Sequence, residues 1–306
     1  MIRLAIVGAK AAGQYARVAW RFADVAFVAI AGIGPDIDAN AERLGAGIVC
    51  DGIDKLLEQH GAEFDAVLVH GSSSREANGL IAAEAAKHVL VEAPWTTSSL
   101  VIESLCEAHE RIGMEARPWR LLPSVASVKQ QLVEGKLGQL GLIRLHCWDS
   151  SGAAGSIVER MAGQLDLACW LFDRAPTEIY GHGLPTGNPD NEHGYAQLHL
   201  GFSDGGMAVL DHWRTLPRGD DYFSLTAIGS SGAAYADDHH NMQLVYRGGR
   251  PEASRISQSD FAVAAQLRAF LDAIAAGSSP QINDIALREV IVAASESIRQ
   301  REVVAC

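Results

Sequence analysis

Two stretches of this chain carry residue types at spacings that could do chemistry. Gly8-Ala9-Lys10-Ala11-Ala12-Gly13 follows an apolar run and opens a helical one, the setting in which a Gly-x-Gly-x-x-Gly turn cradles a dinucleotide pyrophosphate. Lys10 stands where the central glycine would let the backbone approach the phosphates. Two readings stay open: the Lys10 ammonium meets the phosphates itself, aided by the helix N-terminal dipole, or the turn has lost its nucleotide. Further along, Glu159, Gly163 and Asp166 are spaced i, i+4 and i+7, which puts them on one stripe of a helix. Val158, Met161, Ala162, Leu165 and Cys169 form the adjoining apolar stripe, which must face a core. Burial there would raise a carboxyl pKa toward acid–base work. The alternative is that Asp166 pairs with Arg160 or Arg174 and only stabilises the domain.

Lysine narrows the choice of proton carriers. Lys10, Lys55, Lys87, Lys129 and Lys136 are the five lysines, and none lies beyond residue 136. Arginine stays protonated at any working pH, so an acid–base group in the second half must be Asp, Glu, His, Tyr or Cys. Over 193–199, His193, Tyr195, Gln197 and His199 share one strand face, which lines a ligand site or else is hydrated or contacts a subunit. Asp237-Asp238-His239-His240 has metal-ligating types, but adjacent side chains on an extended chain point opposite ways, and no metal is expected. Polar residues in Trp148-Asp149-Ser150-Ser151-Gly152 are reasonable sugar contacts after a strand.

The elements that must position these residues fall into two patterns. Apolar strands are predicted over 2–7, 25–31, 65–70 and 88–91, alternating with helices near 12–22, 36–45 and 75–86, and another follows near 99–112. That alternation predicts a parallel sheet with helical crossovers, a Rossmann-type domain over 1–118, with Arg117-Pro118 at its boundary. From 119 to 306 a helix over 156–172 precedes close-set strands at 177–182, 194–202, 206–213 and 222–229, with another strand at 142–148. This predicts an α+β domain with an open, mostly antiparallel sheet, closed by helices near 260–276 and 284–300. The site is expected in the cleft between the domains.

Composition excludes several classes. The chain has 306 residues, 48% hydrophobic and 20% charged, enough for two cores. Net charge is -12 with scattered acids, so no nucleic-acid partner is expected. No apolar run approaches the roughly 20 residues of a membrane span, and no export signal is read at the start. Five widely spaced cysteines match neither a disulfide framework nor a metal motif, so a cytoplasmic location is expected.

Lys87-His88-Val89-Leu90-Val91-Glu92-Ala93-Pro94 resembles the "KHVLVEKP" stretch of the Gfo/Idh/MocA oxidoreductase family. The resemblance continues through Phe64-Asp65-Ala66-Val67-Leu68-Val69, Gly135-Lys136-Leu137-Gly138-Gln139-Leu140, Asp204-Gly205-Gly206, Ile228-Gly229-Ser230-Ser231-Gly232 and 270–277. It implies an oxidoreductase that uses NAD or NADP on a sugar, polyol or related small molecule, and self-association through the open sheet. By the same resemblance, Gly8, Ala9, Lys10, Ala11, Gly13, Gly32, His70, Gly71, Glu92, Ala93 and Pro94 fall at cofactor positions. The chemical positions depart from the family. Its catalytic lysine is Ala93, and its D-x-G-x-H-x-x-D helix reads Glu159, Met161, Gly163, Asp166, with the histidine replaced by glycine. Where the family has Thr-Pro and then a histidine after the third strand, this chain has His70-Gly71 and Arg75. The second strand ends Ala31-Gly32-Ile33-Gly34, without the acid that takes ribose hydroxyls. Asp166, Glu159 and His70 are therefore the expected catalytic candidates. The competing expectation is a non-redox member: a ligand-binding or regulatory subunit, or an enzyme of another reaction class.

Overall fold

The computed structural model of the chain describes residues 1–34, 36–70, 75–92, 98–148, 156–185, 193–215, 222–237, 242–245, 252–255, 258–278 and 287–306. Strands and α-helices alternate at the start of the chain among the described residues: β1 Ile2–Val7, α1 Ala9–Val18, β2 Val25–Ala31, α2 Ile37–Leu44, β3 Ile48–Cys50, α3 Ile53–His60, β4 Ala66–Val69, α4 Arg75–Glu84, β5 His88–Glu92, α5 Ser98–Ala108 and β6 Gly113–Ala116. The six strands form one parallel sheet in the order β3-β2-β1-β4-β5-β6. Parallel strands need helical crossovers, and those crossovers cover both sheet faces. Two cores result. Leu4, Ile6, Ile30, Leu68 and Leu90 point into one, and Ala5, Val7, Ala29, Val67, Val69 and Val91 into the other.

The remaining elements are α6 Pro123–Val133, β7 Leu140–Trp148, α7 Ile157–Arg160, α8 Ala162–Phe172, β8 Glu178–Leu184, β9 Tyr195–Gly201, β10 Met207–Trp213, β11 Tyr222–Gly229, β12 Ala233–Asp237, β13 Met242–Val245, β14 Glu252–Arg255, α9 Gln258–Ala276, α10 Leu287–Gln300 and β15 Val303–Ala305. Seven strands form a mixed sheet in the order β12-β11-β7-β10-β9-β8-β15. Its described pairs are antiparallel except β7 with β10, which run parallel. β13 and β14 pair as a separate hairpin.

The chain divides into two compact units: Met1–Leu121 with Ser259–Ile282, and Leu122–Gln258 with Asn283–Cys306. The sequence reading kept everything after residue 118 in one continuous domain. Instead α9 belongs to the first unit, where Leu267, Phe270 and Leu271 pack into the core beside Leu4 and Ile30. Arg268 reaches Asp24 at 2.8 Å and Arg17 reaches Asp260 at 3.0 Å, pinning the helix there.

Three element boundaries also differ from expectation. α1 begins at Ala9 rather than Ala12, because Gly8, at φ 122°, turns the chain straight into the helix. α5 stops at Ala108 rather than Ile112, since Glu110 takes a left-handed conformation at φ 56° and the chain enters β6. The expected helix over 156–172 is two helices that meet at Met161, whose ψ of -4° interrupts the regular α geometry.

Candidate active site

In the first unit the registers bring the carboxyl ends of four strands level. Val7 pairs with Ala31 and Val69, and Val69 with Val91, so Gly32, Gly8, His70 and Glu92 follow one another across the edge of the sheet. Gly8 and Gly32 hold φ of 122° and 147°, conformations that an L side chain rarely takes. Their amides are anchored: Gly8 N–H donates to Ala31 O at 2.8 Å and Gly32 N–H to Cys50 O at 2.9 Å. His70 N–H donates to Val7 O at 3.0 Å. Ala9, Lys10 and Ala11 form the first turn of α1, which therefore starts at this edge.

Gly13 lies farther along α1. A Cβ there would sit 3.4 Å from Asn40 Nδ2 on α2, an ordinary contact. It therefore borders a helix–helix packing position, the third-glycine role in such turns. Lys87 and His88 are anchors of the sheet. Lys87 Nζ donates to Gly61 O and Phe64 O at 2.5 and 2.9 Å, and His88 Nδ1 accepts from Ile112 N–H at 2.9 Å. Burial is the first cause pushing both pKa values down, that of His88 to about 4. Gly71, Ala93, Pro94, the 149–152 loop and 238–240 lie outside the described residues, as does the side chain of Arg75.

In the second unit the residues of the acidic stripe are divided between two helices that meet at Met161. Glu159 belongs to α7, where its carboxylate accepts from Ser156 N–H at 3.2 Å while Ser156 Oγ accepts from Val158 and Glu159 N–H, a closed capping box. Gly163 and Asp166 belong to α8, and Asp166 is buried. Arg174, one of the two arginines considered as its partner, ion-pairs with Asp204 at 3.1 Å.

Beside Asp166 the sequence reading missed a polar bridge. Gln164 is fully buried, and its Nε2 donates to Leu145 O on β7 at 3.2 Å and to Asp211 O on β10 at 2.9 Å. Its Oε1 lies 3.1 Å from His212 Nδ1. The amide thus staples the one parallel seam of the described sheet. Strand alternation carried the clue to His212, since it shares the inward face with Ala208 and Leu210.

The outward face of this sheet carries Tyr195, Gln197 and His199, as the alternation predicts, whereas His193 precedes β9 and its ring lies against Gly183, which shares the buried side with Ala196. Trp148, Tyr180, Leu184, Met207, Trp213 and Tyr235 are also exposed. In their midst His146 ion-pairs with Asp211, which raises its pKa. Among the described residues, no three or more His, Cys, Asp or Glu are grouped to hold a metal, and no helix is long and apolar enough to cross a membrane.

No family model matches the chain. Over 76% of this chain and 78% of the relative, it is 27% identical to the rhizopine catabolism protein MocA of Rhizobium meliloti. Its fold matches myo-inositol 2-dehydrogenase from Lactobacillus plantarum at TM-score 0.84 and 18% identity, covering 99% of both chains. Scyllo-inositol dehydrogenase from Lactobacillus casei, solved with NAD(H) and scyllo-inositol, matches at TM-score 0.80 and 20% identity, covering 100% of this chain and 99% of the other. Motifs, sequence relative and fold neighbours agree: the chain resembles the Gfo/Idh/MocA oxidoreductases in sequence and has their fold.

Proposed function

We propose that the chain is an NAD(P)-dependent oxidoreductase acting on a hydroxyl or carbonyl group of a sugar, polyol or related small molecule. The observation that carries this reading is the level edge of Gly32, Gly8, His70 and Glu92, with two glycine conformations that keep side chains out of a nucleotide's path. Its support outside the chain is the inositol dehydrogenase neighbour solved with NAD(H) and its polyol. Gly8, Ala9, Lys10 and Ala11 would hold the pyrophosphate, and Gly32 the adenosine end. His70, Gly71, Glu92, Ala93 and Pro94 would border the nicotinamide, which when bound supplies hydride chemistry. Gly13 supports the turn from behind. Asp166 and His70 remain for proton transfer, whereas the Glu159 carboxylate is engaged at its helix cap.

The exposed aromatic face of the second sheet fits a homo-oligomer of this chain, since an apolar patch of that kind is normally covered. Five free cysteines fit a reducing cytoplasm.

Calorimetric titration with NAD(H) and NADP(H), followed by a polyol panel, tests the reading. Saturable binding with turnover is expected, and the absence of saturable binding of any form at about millimolar concentration overturns it. If the enzyme turns over, Ala93→Lys is expected to raise the rate by restoring a proton carrier. Ala93 and Gly163 favour a second reading, a non-redox ligand-binding or regulatory protein, and nucleotide binding without turnover of any polyol would select it.

A further inference from the structure

We propose that the outward face of the seven-stranded sheet pairs with a second copy of this chain about a two-fold axis along the β7–β10 seam, setting His146 of each copy against Asp211 of the other. The proposal rests on the homo-oligomer reading above and deepens it, because it places the axis and puts the assembly under the control of pH. All the strands concerned belong to the second unit.

Strand register fixes what stands where on that face, since residues paired across neighbouring strands share a side of the sheet. Across β11, β7, β10 and β9 one row reads Tyr222, Trp148, Trp213, Tyr195, and the next reads Ser224, His146, Asp211, Gln197. Both rows have their midpoint at the β7–β10 seam. A half-turn about that seam lays β7 over the second copy's β10 and β11 over its β9. Trp148 then meets Trp213, Tyr222 meets Tyr195, Ser224 meets Gln197 and His146 meets Asp211. Aromatic falls on aromatic, hydroxyl on amide and cation on anion. One row farther, Arg144 meets the uncharged Val209. A half-turn about the perpendicular direction, along the second row, would instead set Asp211 on Asp211 and His146 on His146. An isologous interface needs a patch complementary to itself, and the axis along the seam supplies it. Aligned sheets cross at about 30°, so the match is best at the axis, where His146 and Asp211 stand.

The chemistry at the axis makes this contact depend on a proton. Within one chain His146 uses Nδ1 toward Asp211 Oδ1, and its side chain is 41% exposed, which leaves Nε2 for the carboxylate of the second copy. Only the imidazolium donates from both nitrogens. A neutral ring that keeps its Nδ1–H would bring a bare acceptor, Nε2, up to another acceptor. Closing the interface therefore holds two protons, one on each copy's His146, and without them it buries two Asp211 carboxylates against each other. The hydrogen bond to Asp211 raises the His146 pKa, opposed by burial and by Arg144 on the same strand. The other titratable groups of these rows are Tyr222 on β11 and Tyr195 on β9, with His199 one row farther. A group with a raised pKa favours assembly below its ordinary value and loses that effect as pH climbs through the raised one.

Sedimentation velocity from about pH 6 to 9 reads the dimer Kd of wild type, His146→Gln and Trp213→Glu, with melting curves to check that each variant folds. Wild-type Kd is expected to rise by ~10–10²-fold over this range as the dimer's two protons are lost. His146→Gln, which still donates to Asp211 but does not titrate, should give a Kd that does not move with pH. Trp213→Glu, which sets a carboxylate beside the axis, should be monomeric. A wild-type Kd independent of pH, the same pH response in His146→Gln, or a dimeric Trp213→Glu each overturns the proposal while the homo-oligomer reading stands. A wild type that stays monomeric at ~100 μM overturns both. If Trp213→Glu does not fold, the double variant Ser224→Cys, Gln197→Cys decides with a short bismaleimide. Mass spectrometry should find position 224 of one copy linked to 197 of another, and a cross-linked dimer without that link overturns the axis.

Discussion

The parallel sheet of the first unit is covered on both faces and offers its surroundings mainly a row of strand ends, where Gly8 and Gly32 present backbone. The mixed sheet of the second unit buries Leu198, Leu200, Ala208 and Leu210 on one side and exposes Trp148, Met207 and Trp213 on the other. Backbone turns recognise a cofactor shared by many enzymes, whereas side chains on a half-open sheet are free to differ with substrate and partner. Polar groups follow the same division. His88, in the covered sheet, uses Nδ1 as an acceptor and is held neutral, its pKa down to about 4. His146, on the open face, pairs with Asp211 and is favoured charged.

Breaking a charge pair inside the covered sheet should cost most. Glu115 and Arg117 are both buried and bonded at 2.6 Å, so Glu115→Ala is expected to lose about 3–5 kcal/mol by chemical denaturation. A loss below about 1 kcal/mol would mean the guanidinium is compensated elsewhere. In the half-open sheet, Gln164→Leu leaves two carbonyls and a ring nitrogen without their buried partner, and a loss of roughly 2–3 kcal/mol is expected.

The two histidines should then give opposite pH responses. Between the folded His88 value of about 4 and its ordinary 6.5, the unfolded chain binds a proton that the folded chain refuses. Stability therefore falls as pH drops through that window, and His88→Gln should flatten the fall. The His146 pKa is raised, so its stabilisation is complete below 6.5 and fades as pH climbs through the higher folded value. Melting curves of His146→Gln should differ from wild type at pH 6 and converge with it in alkali. Equal differences at both ends would detach the ion pair from the protonation of His146.

The smallest effect belongs to Gly13→Ala, which meets Asn40 only at van der Waals distance. It should be neutral or gain about 0.5–1 kcal/mol from helix propensity, with nucleotide affinity kept. A large loss of nucleotide affinity would put Gly13 at the cofactor rather than behind it.

What could be read from sequence followed from local pattern. Apolar runs located β1, β2, β4 and β5, and alternation oriented Tyr195, Gln197 and His199 outward. β6 was missed because Gly-Met-Glu-Ala has neither a run nor an alternation, and its strand exists through pairing with β5. The break at Met161 was invisible because the helical period continues across it. Gln164 and His212, 48 residues apart, carry no mutual signal along the chain. The return of α9 was hidden for the same reason, since an amphipathic helix does not name the core it will join.

That return fixes an order of assembly. Leu267, Phe270 and Leu271 leave the ribosome only after all of residues 122–258 have been made, yet they complete the core around Leu4, Ile30 and Leu68. During synthesis the nucleotide-type unit must wait, incomplete, while the other unit's sheet emerges. A truncated 1–121 fragment would expose the side of its core that α9 covers, which makes chain interruption before α9 is complete a source of aggregation-prone product.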